Sequence, residues 1–535
     1  MAFTTSRRSM LALLMTPGLA LLSSDKAHAS ARSVNLDRPG VDRTGKFTWA
    51  RQGRWGQLFE LPDVAIHTHV LPNGNVLFWG RRGQSKSSMH AHECAPYVWD
   101  PVTGESSATP QPRRADGTKV NLFCSGHSFL PDGRLLVVGG HLTDGDGLDQ
   151  TCAYDYRTNT WTSLPVMSQR RWYPAVTTLP DGTVLVSSGS YKENGKVVIN
   201  HIPEIWDGHR WQQAPHFADL PPYPRQYLVP SGQVFTSGSQ AMMYLFNAGE
   251  SSSTALPRPR GMPGGGQRQH DTSVTYDVGK VLYIGGSGDE ANDVPTAAAS
   301  VVDFCANPPA WRQVASMHFS RRQHSATILA DGSVLVTGGT SGPGFNNLSP
   351  GRPVHVAESW DPVSEKWTML AAEDVDRCYH ATAVLLPDAT VLSAGGGEFL
   401  IGSEPNDPRD SHRTAQIFQP PYLFRGPRPQ IWAAPDAISY GERFSIEVRG
   451  PDVAKVTWIG LPSVTHAADH SQRINILHFR RSNGGVTVTA PERPEMCPPG
   501  GYMLFVLSKA GVPSVAHIMR ISPHSAHHVT RSLGL

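Results

Sequence analysis

Six cysteines in 535 residues are too few for a disulfide scaffold. Charge is sparse as well. Charged residues make up 17% of the chain, against about 25% in ordinary globular proteins. The 47 basic and 45 acidic side chains leave a net charge of +2, so no bulk field attracts nucleic acid or an anionic membrane surface. No apolar run approaches the about 20 residues of a membrane-spanning helix. No GxGxxG opens a helix, which argues against a nucleotide site. Long coiled coils, collagen-like repeats and charge-driven disorder are excluded together. The excess lies in 51 glycines and 44 prolines, a composition of many turns joining short strands.

Residues 1–29 read as an export signal. Arg7 and Arg8 give the positive start, Leu11–Leu22 the short apolar stretch, and Ala27-His28-Ala29 the cleavage pattern. Ser6-Arg7-Arg8-Ser9-Met10-Leu11 resembles a twin-arginine signal, and a general secretory signal is the alternative. Either route predicts a periplasmic or extracellular protein.

The chain repeats itself seven times. The first copy is Pro72–Gly80, followed by Pro131–Gly140, Pro180–Gly189, Pro230–Gly238, Asp277–Gly286, Ala330–Gly339 and Pro387–Gly396, spaced 47 to 59 residues apart. Each copy is a turn and an apolar strand ending at glycine. Flanking stretches such as Val98-Trp99-Asp100 and Ile205-Trp206-Asp207, and the later tryptophans Trp161, Trp211, Trp311 and Trp367, add further strands. Four strands per repeat, seven times over, predict an all-β, seven-bladed kelch-type propeller across residues 45–425. Residues 54–60 are expected to supply the outer strand of the seventh blade and close the ring. Gly426-Pro427-Arg428-Pro429 reads as a linker. Residues 430–523 alternate in short strands that suggest an immunoglobulin-like β-sandwich, and 524–535 read as a tail.

The repeats align without homologues. Seven positions before each turn stand Ala65, Cys124, Tyr173, Tyr223, His270, Gln323 and His380. These positions open the innermost strands, where packing alone would favour small or apolar residues. A thiol, two phenols, two imidazoles and an amide at one end of the repeat suggest a site. A propeller that only binds a carbohydrate or protein, with these residues structural, is the competing reading.

The motifs Phe123-Cys124, Arg171-Trp172-Tyr173, Arg377-Cys378-Tyr379-His380 and Thr465-His466, with Asp469 and Gln472-Arg473, carry a resemblance. So does the ending Gly501–Val506 through Ala510–Ser514. Residues 45–523 resemble the galactose oxidase and glyoxal oxidase family of copper-radical oxidases, a kelch propeller followed by an early-set domain. The resemblance implies one copper ion held by Tyr173, Tyr379, His380 and His466. It implies a thioether between Cys124 and Tyr173 that seats a tyrosyl radical, and Tyr379 as base. The expected reaction is oxidation of a small aldehyde or primary alcohol, with O2 reduced to hydrogen peroxide. Arg171-Trp172-Tyr173 looks more like the glyoxal oxidase branch. Tyr191 lies in the stretch that would supply a ring stacked on the thioether. Arg225, His270 and Gln323 are candidates to face the substrate. The stretch before Trp55 is too short for the carbohydrate-binding domain that opens galactose oxidase. The pairing of Cys94, Cys152, Cys305, Cys378 and Cys497 stays open, and a monomer is the expected state.

Overall fold

The computed structural model describes residues 48–81, 94–237, 242–250, 252–257, 270–288, 293–398, 411–522 and 529–531. Residues 1–29, expected to be an export signal, and most of the tail lie outside them. Among the described residues the fold is all-β, with one short helix at Trp49–Gln52 and a 3-10 turn at Pro421–Phe424.

Seven sheets follow the sequence repeat, each an antiparallel meander of four strand positions. The second is typical: Ser125–Phe129, Leu135–Gly139, Thr151–Asp155 and Thr160–Leu164 pair in order. Its first two strands are buried along their whole length and its outermost strand is largely exposed. That gradient explains the near-continuous apolar run after each turn. The apolar strand is covered on both faces, so alternation is lost. The seventh sheet takes its outer edge from the start of the chain. Arg54–Trp55 pairs with Phe418 and Gln419, and Phe59–Glu60 pairs with Thr414 and Ala415. The N-terminal segment therefore completes the last sheet, as the sequence leads one to expect.

Innermost strands of successive sheets touch, and a close backbone approach makes this possible. Gly139 has φ +74°, and a Cβ there would meet the carbonyl of Arg171 at 2.4 Å. Gly338 repeats the device against Arg377 at 2.1 Å. Gly285 and Gly395 do the same against Arg321 and Ala65, so in four sheets a glycine at the end of the repeated strand lets the next sheet lie against it.

After residue 429 two five-stranded sheets follow, one around Arg443–Arg449 and one around Val453–Gly460 and Gly500–Ser508. They share a core of Phe444, Ile446, Val456, Trp458, Leu504 and Val506. One segment leaves this region. Ser463–Thr465 pairs with His67–Val70 and extends the first sheet of the repeat on its inner edge. That insertion carries Thr465-His466 into the interior.

Candidate active site

Six of the seven residues in the column read from the repeat share one backbone signature. Cys124, Tyr173, Tyr223, His270, Gln323 and His380 all have φ between 46° and 67°. A non-glycine residue there costs on the order of 1–3 kcal/mol. The offset is visible in the hydrogen bonds. Tyr173 N–H donates to Cys124 O at 3.0 Å, Tyr223 N–H to Tyr173 O at 2.7 Å, and Gln323 N–H to His270 O at 3.1 Å. The left-handed turn swings these three amides sideways onto the preceding sheet, stitching sheet to sheet.

Four of the expected residues, Tyr173, Tyr379, His380 and His466, come together. The hydroxyls of Tyr173 and Tyr379 lie 2.8 Å apart, and His466 Nε2 is 2.9 Å from the Tyr173 hydroxyl. The His380 and His466 rings cross with centroids 4.6 Å apart, and Tyr379 stacks on His380 at 3.9 Å. Each imidazole is oriented from behind. His380 Nδ1 donates to Gly397 O at 2.6 Å, which leaves Nε2 buried without a protein partner. Thr465 Oγ1 donates to Ile66 O and so accepts from His466 Nδ1 at 2.6 Å. Both rings therefore present an unprotonated Nε2. Burial lowers the proton affinity of His380 to a pKa of about 3 and pushes that of His466 well below its ordinary value. Burial also raises the Tyr173 phenol well above its ordinary value, with Cys124 and Tyr379 adding to it.

Cys124 is buried beside Tyr173 in a pocket with Val64, Ile66 and Phe123. Burial pushes its thiol well up, and a hydrogen bond with Tyr173 works against that shift. All six cysteines are unpaired.

The stacking ring is a correction to the sequence reading. Tyr191 lies in a hairpin with Arg170 over its ring at 5.7 Å. Trp172 instead stacks on Tyr173, with centroids 3.6 Å apart and planes 10° from parallel. Tyr223 covers the other face at 4.2 Å and 16°. The signal for Trp172 was in the motif Arg171-Trp172-Tyr173, but adjacent residues on an extended strand point to opposite faces. The left-handed turn at Tyr173 breaks that rule. Arg171 anchors the turn through a buried ion pair with Glu204 at 2.8 Å.

Arg225 is a second correction. Its guanidinium is buried, donating to Asp271 O at 2.9 Å and to His466 O at 3.4 Å. It braces the inserted loop rather than facing a substrate. Thr272 Oγ1 donates to Ala467 O beside it at 2.8 Å. His270 and Gln323 lie against Phe345, whose ring meets His270 at 4.8 Å and Tyr379 at 4.7 Å. Gln323 Nε2 donates to Phe345 O at 3.4 Å. Sequence reasoning missed Phe345 because its loop lies outside the repeated strands.

On this fold a buried thiol–phenol pair, two further phenols and two oriented imidazoles, all oxidisable or able to ligate a metal, gather in one place. The family model described as "Glyoxal oxidase N-terminus" matches residues 66–422, and "Galactose oxidase-like, Early set domain" matches residues 428–521. A galactose oxidase of Gibberella zeae is 29% identical over 506 residues, covering 88% of this chain and 71% of its own. The aldehyde oxidase GLOX of Vitis pseudoreticulata is 27% identical, covering 76% of this chain and 82% of its own. A fungal alcohol oxidase of the AA5 family, solved in complex with copper, superposes with a TM-score of 0.76. It is 24% identical, covering 88% of this chain and all of its own, and shares the fold. The chain belongs to the glyoxal oxidase family and is an oxidoreductase with dioxygen as acceptor.

Proposed function

We propose that this chain is an exported copper-radical oxidase of small aldehydes or primary alcohols. In this reading the seven sheets are the blades of a propeller and the two C-terminal sheets a β-sandwich that delivers His466. The observation that carries it is a pair of oriented imidazoles beside two phenols 2.8 Å apart, with His466 Nε2 on the Tyr173 hydroxyl and His380 Nε2 buried without a protein partner. Among the described residues no group of three or more His, Cys, Asp or Glu could hold a metal. The mixed set of two nitrogens and two phenolic oxygens suits Cu(II) in a tetragonal site. The orphaned, buried Nε2 of His380 is accounted for by such an ion.

Copper held by Tyr173, Tyr379, His380 and His466 would supply one of the two electron acceptors that the reaction needs. The other is Tyr173, cross-linked to Cys124, whose sulfur lowers the oxidation potential of the phenol. Trp172 and Tyr223 sandwich its ring and shield the radical from water. Tyr379 takes the substrate hydroxyl proton. Oxidised Tyr173 takes a hydrogen atom from the substrate carbon. The substrate, an alcohol or a hydrated aldehyde, loses two protons and two electrons. Dioxygen gains both pairs and leaves as hydrogen peroxide. Phe345, His270 and Gln323 crowd the approach and favour a small substrate.

Export through residues 1–29 rests on Arg7, Arg8, the apolar run and the Ala27-His28-Ala29 pattern. Among the described residues no helix is long and apolar enough to cross a membrane.

Mass spectrometry of the copper-loaded, oxidised protein tests the reading. Peptides holding Cys124 and Tyr173 are expected to stay linked under reducing conditions, two hydrogens lighter than their sum, with peroxide formed from methylglyoxal or a primary alcohol. Separate peptides and no peroxide would sink it.

A further inference from the structure

The indole nitrogen of Trp172 donates to Nδ1 of His141 at 3.1 Å. An indole nitrogen can only donate, so His141 carries its own proton on Nε2. That nitrogen lies 3.9 Å from the carboxylate of Asp144, and the His141 side chain is fully buried. Arg81 Nη2 reaches both Asp144 oxygens at 3.1 Å. The His141 ring packs on Phe123 at 5.3 Å, and Phe123 meets the His380 ring at 5.7 Å. His141 is thus wedged between the wall of the site and the ring stacked on Tyr173.

Its place in the repeat is unusual. The residue after the closing glycine reads Arg81, His141, Ser190, Ser239, Ser287, Thr340 and Gly397 along the seven copies. Five copies carry a small residue there. The two large ones come from neighbouring sheets and converge on Asp144.

We infer that His141 is a positioning residue for the oxidised state of Tyr173, acting through Trp172. This rests on the copper-radical reading above. The hydrogen bond fixes the indole plane within 10° of the phenol. A neutral imidazole backed by a carboxylate also pushes electron density towards the donor it binds. The indole that covers Tyr173 becomes richer in electrons, so the oxidised stack forms more readily and lasts longer.

The test uses the full copper-loaded chain. His141→Phe keeps a ring of similar size and removes the acceptor, and His141→Gln keeps an acceptor. Copper content and thioether yield, read by mass, are expected to match the parent in both. The oxidised state is generated with hexachloroiridate and its decay followed by optical absorption and electron paramagnetic resonance. Decay in His141→Phe is expected to be about tenfold faster, the equivalent of one net hydrogen bond, with His141→Gln between it and the parent. In a Trp172→Phe background, His141→Phe is expected to add nothing. Should His141→Phe fail to load copper, Asp144→Asn replaces it, with decay about threefold faster. Unchanged decay in the variant, or an effect that persists without Trp172, would overturn the inference alone. A parent that forms neither thioether nor radical would overturn the copper-radical reading and the inference with it.

Discussion

Two groups of buried histidines meet where the inner strands converge, with His67 and His466 only 5.9 Å apart by ring centroid. In the first group, His380 and His466 spend Nδ1 on Gly397 O and Thr465 Oγ1, which leaves His466 Nε2 on the Tyr173 hydroxyl and His380 Nε2 without a protein partner. In the second, the lone pairs are already used. Cys124 N–H donates to His67 Nε2 at 3.1 Å, so His67 Nδ1 carries the proton and donates to His127 Nε2 at 3.2 Å. His127 Nδ1 then donates to Ser463 Oγ at 2.6 Å, and that hydroxyl turns to His69 Nδ1 at 2.9 Å. Burial lowers the proton affinity of both groups. Low basicity therefore does not separate them. The hydrogen bond on the far nitrogen decides which buried imidazole is left with a lone pair for a metal.

Substitution should break this contrast if it is wrong. His380→Ala or His466→Ala is expected to lower copper affinity by more than about 100-fold, beyond the usual cost of losing an outer hydrogen bond to a ligand, and to abolish peroxide formation. Copper content after dialysis reads the first effect directly. His67→Phe is expected to keep copper. Phenylalanine preserves the stack on Trp79, which His67 makes at 5.1 Å and 14°, but leaves the buried amide of Cys124 unpaired. The cost is about 1–3 kcal/mol, visible as a melting temperature lower by several degrees. Loss of copper in His67→Phe at unchanged stability would mean that the second group also ligates.

Acid sharpens the contrast in the copper-free protein. Burial lowers His127 to a pKa of about 3, while the same residue in an unfolded chain takes its proton near 6.5. Between those values the unfolded state binds more protons, so this group's contribution to stability falls as pH drops through that window, by up to about 1.4 kcal/mol per pH unit. Asp469 has the opposite sign. Burial raises it to about 7, against hydrogen bonds from the amides of Ser463, Ser471 and Gln472. It is protonated in the folded state below that value and ionised in the unfolded state above about 4, so its contribution falls as pH rises through the same range. His127→Phe is expected to flatten the loss of melting temperature between pH 6.5 and 4, and Asp469→Asn to steepen it. The reverse ranking in a thermal scan would refute both assignments.

Much of this was legible in the sequence, for reasons that can be named. Turn, apolar strand and closing glycine recur because each sheet must bury its inner strands against the next, so the seven copies and the closing strand at Arg54–Trp55 could be read from pattern alone. The column from Cys124 to His380 was legible because its residue types contradict simple packing. Three features were not. The left-handed turn at each column residue leaves no mark on residue type, so Trp172 could not be placed over Tyr173. The string of His67, His127, Ser463 and His69 joins segments nearly 400 residues apart in sequence, and pattern within one repeat does not see it. Arg225 was a substrate candidate only through the resemblance carried by Tyr223-Pro224-Arg225, and the carbonyls of Asp271 and His466 reveal it as a brace.

Tyr191 gives the smallest expected effect and the cleanest check on the stack. Its strand, Ser190–Glu193, pairs with Lys196–Ile199 in a hairpin that leaves the site. Ser190 and Trp172 exchange backbone hydrogen bonds at 2.7 and 2.8 Å, which puts Tyr191 one step further out, against Arg170. Tyr191→Leu removes that cation–π contact and should cost at most about 1 kcal/mol of stability. Radical lifetime and turnover are expected to stay within about twofold of the parent, the scale of a surface substitution. Trp172→Phe, in contrast, exchanges a broad indole and its hydrogen bond to His141 for a smaller ring, and its radical should decay measurably faster. Equal decay in Tyr191→Leu and Trp172→Phe would move the protecting ring back to Tyr191 and undo the assignment of Trp172.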